Sequence, residues 1–377
     1  MIWKRALVVL CAIVLSSPAY STDLDSLLRQ ARQWDKTGNH QQAISICNAI
    51  IQLHPGGSVE PRVRLFLGHL LIKGQRPSSE IIAQFARIAE SFPNSPEAPD
   101  ALLRIGYIRD RAKESPAEWQ QLVEKYPKSK EAALALYRMG FVALKQNDPD
   151  LAVQRFLSCA KIEHADPRCV EDSLVEAGYA HISRYWKTAD LEAISDAMAH
   201  LAALQKEKLS PRSSLRVHLA MGEACLIVGY CRDAVAQYQA ALDLNPDDVY
   251  LKGVAQFELG CAQYGKGDWE AAVKSYDQFL ISQAGSILIE KDKQWRSTRP
   301  GYSKLVVEAP EKTKTLTGLD LVPLAAYWKA ESLRRLNRCS EAKTIADEVL
   351  AGFPDLSVRS CVESLRDWCA AVPKEAK

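Results

Sequence analysis

The chain has 377 residues, 47% of them apolar and 25% charged, so it can bury a sizeable core and does not have the composition of a disordered chain. Its formal net charge is +2, and the only charges among the first 21 residues are Lys4 and Arg5, so the remainder balances at zero. That balance excludes the basic excess with which a nucleic-acid binder holds phosphates.

Lys4 and Arg5 precede the apolar run Ala6 to Leu15, and Ser16-Ser17-Pro18-Ala19-Tyr20-Ser21 follows. Basic, apolar and small-residue parts in this order make a signal peptide over residues 1–21, cleaved before Thr22, with Ala19 and Ser21 flanking Tyr20 as processing requires. The apolar run is about half of the ~20 residues that span a bilayer, and no later run is long enough. The processed chain is therefore expected to be soluble and periplasmic or secreted, with no transmembrane segment.

From residue 22 onward a spacing recurs: a small residue, then Ala twelve positions later. Ala31 and Ala43, Gly140 and Ala152, Gly222 and Ala234, Gly260 and Ala272, and Ala330 and Ala342 all obey it. In the clearest copy Met221-Gly222 precedes Gly229-Tyr230, Ala234, Tyr238, Ala241 and Asn245-Pro246; the next gives Leu259-Gly260, Gly267-Asp268, Ala272, Tyr276 and Phe279. Each copy reads as helix, tight turn, helix. Glycine at the turn takes the positive φ that closes the first helix. Ala and the aromatic four residues later share one face of the second helix, and small residues at the crossing let the backbones approach.

This pattern resembles the tetratricopeptide repeat (TPR), a helical hairpin of about 34 residues. The resemblance implies an all-α fold, a TPR-like superhelical solenoid of stacked hairpins. Eight units are expected, starting near Leu24, Pro61, Pro99, Ala133, Glu171, Leu215, Gly253 and Pro323. In the second, third and fifth, Glu80, Glu118 and Asp190 fall where Ala is expected. The junctions Ser91-Phe92-Pro93-Asn94-Ser95 and Lys125-Tyr126-Pro127-Lys128-Ser129 are similar to those of bacterial envelope TPR proteins of the YbgF-like and BamD-like kind. Pro stops one helix there, and Ser or Asn caps the next.

The expected organisation is repeats one to seven over 22–281, an irregular insertion over 282–322, and a last repeat with a closing helix over 323–377. In the insertion, Ile287-Leu288-Ile289 and Leu305-Val306-Val307 either pair as short strands or pack on the solenoid, and a disordered insertion is an equal alternative. Val358 to Ala371 reads as the helix that shields the solenoid's end from water.

Nine cysteines follow the signal peptide, and no C-x-x-C occurs among them. Cys339 opens the second helix of the last unit and Cys369 lies late in the closing helix, which makes them a candidate disulfide. Cys225 and Cys231, straddling a tight turn, are another. No H-E-x-x-H, G-x-S-x-G, phosphate-binding G-x-x-x-x-G-K-[ST] or dinucleotide G-x-G-x-x-G occurs, and the seven histidines lack ligand spacing. No catalytic residue, metal or cofactor is expected, and the chain is not expected to be an enzyme.

The resemblance implies instead a concave surface formed by the first helix of each unit. Tyr107, Tyr137, Phe141, Tyr179, Phe257, Tyr264 and Tyr327 fall on or beside it, either to clasp a peptide segment or partner helix or to pack between helices. The expected function is an exported scaffold for protein–protein interactions in the cell envelope. The alternative is an envelope enzyme or accessory factor using the 282–322 insertion.

Overall fold

The computed structural model describes residues 24–245, 247–281, 321–353 and 358–371, and the signal peptide and nearly all of the 282–322 insertion lie outside them. Among the described residues there are seventeen helices and no strand. They are α1 (Leu24–Lys36), α2 (His40–Leu53), α3 (Glu60–Lys73), α4 (Ser78–Ser91), α5 (Ala98–Arg111), α6 (Ala117–Lys125), α7 (Lys130–Lys145), α8 (Pro149–Ala160) and α9 (Pro167–Thr188). After them come α10 (Leu191–Leu204), α11 (Pro211–Ile227), α12 (Cys231–Asp243), α13 (Val249–Lys266), α14 (Trp269–Ile281), α15 (Leu321–Arg335), α16 (Cys339–Gly352) and α17 (Arg359–Ala371). The fold is all-α, built of consecutive antiparallel hairpins in the TPR manner. The chain divides into two compact units, 1–135 and 136–377.

One backbone device makes the hairpins. Each turn between a first and a second helix holds one residue in the left-handed conformation: Gly38, Gln75, Lys113, Asn147, Ala189, Gly229, Gly267 and Asn337. In seven of the eight turns the next residue donates its N–H five residues back, as Tyr230 does to the Cys225 carbonyl (2.8 Å) and Asp268 to that of Gln263 (2.9 Å). This is the Schellman closure, which satisfies the last carbonyls of the first helix and reverses the chain. The turn after α9 closes with a single bond from Ala189 to the Tyr185 carbonyl (2.7 Å).

The helix crossing explains the small residues. A Cβ built on Gly222 or Gly260 would stand 2.6 Å from the ring of Tyr238 or Tyr276, and Gly68, Gly106 and Gly140 lie as close to Phe85, Trp119 and Phe156. In the first and last hairpins the small residue is Ala31 or Ala330, and the residue sixteen places on is itself small, Cys47 or Ala346. At these five crossings glycine thus stands where the second helix presents a large ring.

Three registers need correction. In the second hairpin the ring over Gly68 is Phe85, seventeen residues on, so buried Ile81 and not Glu80 holds the alanine place. In the fifth, α9 runs for 22 residues, and Gly178 meets Leu201. Ala197 therefore holds the alanine place, and Asp190 caps α10 by accepting from the Glu192 N–H. In the third, α6 is only nine residues long, and Trp119 in its first turn lies over Gly106 and donates to the Leu103 carbonyl at 3.1 Å. One large ring there fills the crossing, and Glu118 beside it pairs with Arg109 (2.9 Å). A longer turn, a longer first helix or a shorter second one breaks a fixed spacing while leaving the contact intact.

Unit 1 packs Leu28, Ile50, Leu67, Phe85, Ile88 and Ile105 into one core. Its two aromatic-Pro junctions form related turns. The Phe92 and Tyr126 N–H groups close α4 and α6 on the Ile88 and Leu122 carbonyls, both at 2.9 Å, and the Tyr126 hydroxyl donates to the Pro93 carbonyl at 2.5 Å. Ser129 caps α7 by accepting from Ala132 N–H (3.0 Å), whereas α5 has no side-chain cap.

In unit 2 a core containing Tyr179, Leu201, Tyr238, Phe257, Tyr276 and Leu324 runs from α9 to α17, and a smaller cluster around Phe156 joins α7, α8 and α9. Helix α14 packs directly on α15, and α17 packs on α16. Helix α15 begins at Leu321, so the last two residues of the expected insertion are helical.

Candidate partner-binding site

The first helices of unit 2 carry two groups of half-buried aromatics. On α7, Tyr137 and Phe141 are one turn apart and meet edge to face with centroids 5.0 Å apart. Both rest on Phe156 of α8, at 5.9 and 5.2 Å. Burial, reinforced by the carboxylates of Glu176 and Asp172, pushes the Tyr137 hydroxyl far above the usual tyrosine range.

The second group joins α13 to α15. The Tyr264 ring lies 4.9 Å from Trp328, which lies 5.2 Å from Tyr327. Tyr264 donates from its hydroxyl to Glu331 (3.3 Å), a carboxylate that Arg334 and Arg335 also grip at 2.5 and 3.1 Å. The Trp328 Nε1–H is buried without a hydrogen-bond partner. Trp328 was missed in the sequence because it follows Tyr327 directly; the closeness of Tyr264 belongs to the packing of two hairpins. In unit 1, Tyr107 is half-buried and meets Trp119 edge to face at 5.5 Å.

Tyr179 and Phe257 have to leave the candidate surface. Phe257 is fully buried, 6.0 Å from Tyr276 and 5.8 Å from Phe279. Tyr179 is 3% exposed, its hydroxyl donating to the Arg216 carbonyl at 3.3 Å. Phe257 precedes its glycine by three residues, just as Tyr137 precedes Gly140 and Tyr327 precedes Ala330. Register sets where a side chain emerges from its helix, and the neighbouring helices decide whether it is covered.

Beside Tyr137 and Tyr179 lies a buried charged cluster. Arg216 on α11 donates to Asp172 (2.6 Å) and to Glu176, both on α9. Burial alone would lower the affinity of Arg216 for its proton, but Glu176, Tyr179 and Asp172 outweigh it and raise its pKa. A cavity of about 600 Å³ opens at the start of the same helices, lined by Glu171, Ser210, Asp247 and Asp248 and by Leu215 and Leu251 among others. Several of its polar groups are already engaged: Glu171 accepts from the Ser210 hydroxyl (2.5 Å), and Asp248 caps α13.

All nine described cysteines are free thiols. Cys339 and Cys369 lie in contact across α16 and α17; burial, and then the neighbouring Cys339, push the Cys369 thiol up to about 12. Cys225 and Cys231 do not form a comparable pair. Cys225 is buried in α11, whereas the Cys231 sulfur lies 2.9 Å from where a Cβ on Gly265 of α13 would stand. The turn aims the two side chains at different neighbours. Among the described residues no group of three or more His, Cys, Asp or Glu could hold a metal, and no helix is long and apolar enough to cross a membrane.

Residues 25–57 and 228–287 match family models of the tetratricopeptide repeat, so the chain carries TPR repeats, whose usual role is to bind other proteins. No curated protein sequence is significantly similar to it. Among solved structures it is similar to a tetratricopeptide repeat protein from Parabacteroides merdae, with 9% identity and a TM-score of 0.38 over 92% of this chain and 98% of that one. It is also similar to Naa15/Naa10 bound to HypK-THB, with 12% identity and a TM-score of 0.40 over 93% of this chain and 56% of that one.

Proposed function

We propose that this protein is an exported TPR scaffold of the cell envelope that binds a peptide segment or partner helix through the first helices of its hairpins. One observation carries the reading: Tyr137 and Phe141, and Tyr264, Tyr327 and Trp328, stay half-exposed on first helices, while Tyr179 and Phe257 are packed away. Rigid aromatics give a partner large contact area at little entropic cost. Export and the envelope setting are supported by the signal-peptide pattern and by the aromatic-Pro junctions, similar to those of YbgF-like and BamD-like proteins. The absence of any familiar catalytic motif favours a scaffold over an enzyme.

The test is crosslinking capture from intact cells with the native protein and with Tyr264→Ala and Tyr327→Ala variants, each checked for helix content. Each truncation should weaken capture of the same partner by about 2 kcal/mol, roughly 30-fold. Folded variants that capture it at unchanged affinity would sink the aromatic surface. N-terminal mapping of the native protein should begin at or near Thr22, and recovery of uncleaved chain from the cytoplasm would sink export.

A further inference from the structure

Cys159 and Cys169 were not singled out by their spacing, yet the fold brings them together. Cys159 sits in the last turn of α8 and Cys169 in the first turn of α9, and their sulfurs are 3.6 Å apart. The juxtaposition is held from three sides. The Asp166 side chain accepts from the Arg168 N–H (2.8 Å) and the Cys169 N–H (3.4 Å), and with Pro167 it fixes where α9 starts. The α8 end closes with Lys161 N–H donating to the Ser158 carbonyl (3.2 Å). Ser173, one turn beyond Cys169 and fully buried, donates from its hydroxyl to the Cys159 sulfur at 3.0 Å.

We propose that Cys159 and Cys169 close into a disulfide by exchange with a disulfide-bearing oxidant, stapling the end of the fourth hairpin to the start of the fifth. Closing the bond requires the sulfurs to approach by about 1.5 Å, to the ~2.05 Å of an S–S bond. Cys169, 8% exposed against 0% for Cys159, is the more accessible of the two. Cys169, whose thiol the neighbouring Cys159 and burial push well above the usual range, gives up its proton as its sulfur attacks the oxidant's disulfide, forming a mixed disulfide and releasing one thiolate of the oxidant. The Cys159 thiolate then attacks the Cys169 sulfur and releases the second. Two electrons pass to the oxidant, which ends as two thiols after taking up the two protons the cysteines lose. Once Cys169 is tied up in the mixed disulfide, the Ser173 hydroxyl still donates to the Cys159 sulfur (3.0 Å) and favours its thiolate for the second step. Cys47 and Cys225 lie buried elsewhere, Cys261 accepts from the Tyr276 hydroxyl, and Cys339 faces Cys369.

The inference does not rest on export, and the experiment keeps the two apart. The purified chain, fully reduced, is equilibrated with oxidised glutathione, alkylated, and digested with trypsin without reductant. The expected product joins the peptide 156–161 to the peptide 169–184 and is two hydrogens lighter than the pair. Cys169→Ser, with helix content retained, should lose that product and leave Cys159 alkylated or glutathionylated. Native chain in which Cys159 and Cys169 both stay alkylated, or in which either pairs with another cysteine, overturns the proposal. Closure in the purified chain together with free thiols in protein taken from cells would count against the oxidising compartment and leave the pair standing.

Discussion

Gly222 and Tyr238 meet where α11 crosses α12: a Cβ added to the glycine would stand 2.6 Å from two ring carbons of a tyrosine that is 1% exposed. The ring is surrounded and cannot retreat, so steric cost exceeds the gain of up to ~1 kcal/mol that alanine offers in a helix. Gly222→Ala should destabilise by about 1–3 kcal/mol in denaturant unfolding. Gly352, with nothing within 4 Å of a built Cβ, is the control. Gly352→Ala should be neutral or slightly stabilising, and equal losses at both sites would refute the crossing argument.

Gln75 and Lys113 hold the left-handed turn position at φ 51° and 62°, where Gly229 and Gly267 stand in other hairpins. An L-residue pays roughly 1–2 kcal/mol in that conformation, and glycine does not. Glycine's extra freedom in the unfolded chain returns part of the difference. Gln75→Gly and Lys113→Gly should each raise stability by about 0.5–1 kcal/mol, read as a higher unfolding midpoint.

Arg216 is the buried cation between Asp172 and Glu176. Replacing it alone leaves Glu176, itself 3% exposed, charged without that partner. Arg216→Met should cost about 3–5 kcal/mol. The double variant Arg216→Met with Glu176→Leu should recover much of that loss, because no buried charge at 176 is then stranded. A double variant worse than the single would show that the pair contributes net stability.

His181 titrates at about 4, lowered first by burial and then by the charges of Arg184 and His200, and its Nδ1 has no hydrogen-bond partner. The neutral ring is the folded form, whereas the unfolded chain takes up its proton near pH 6.5. Between pH 6.5 and 4 the unfolded state therefore binds more protons, and stability falls as the pH falls. The ring is partly solvated, so the loss should be on the order of 2 kcal/mol. Unfolding midpoints measured across that range should lose most of this slope in His181→Gln.

Gly222 with Ala234 and Tyr238, and Gly260 with Ala272 and Tyr276, were legible as hairpins because the contact lies within one unit and the turn length is regular. A fixed spacing is then a direct image of a fixed contact. The same rule misread Glu80 and Asp190, since the second hairpin needs one more residue and the fifth seven more to bring Phe85 and Leu201 over their glycines. The left-handed residue survives these changes, but only at Gly or Asn does it show in the sequence; at Gln75, Lys113 and Ala189 neighbouring structure imposes it. What joins one hairpin to the next left still less trace. The burial of Tyr179 beside the Arg216 carbonyl, the tilted contact of Tyr264 with Trp328 and the capture of Arg216 by Asp172 and Glu176 depend on groups from separate hairpins. Cys159 and Cys169, ten residues apart, meet because a helix end, a turn and a capped helix start have defined directions in space. Local chain geometry repeats with the sequence, and the sequence determined the hairpins; coverage, charge pairing and thiol contact depend on packing between them, and only the tertiary structure decided those.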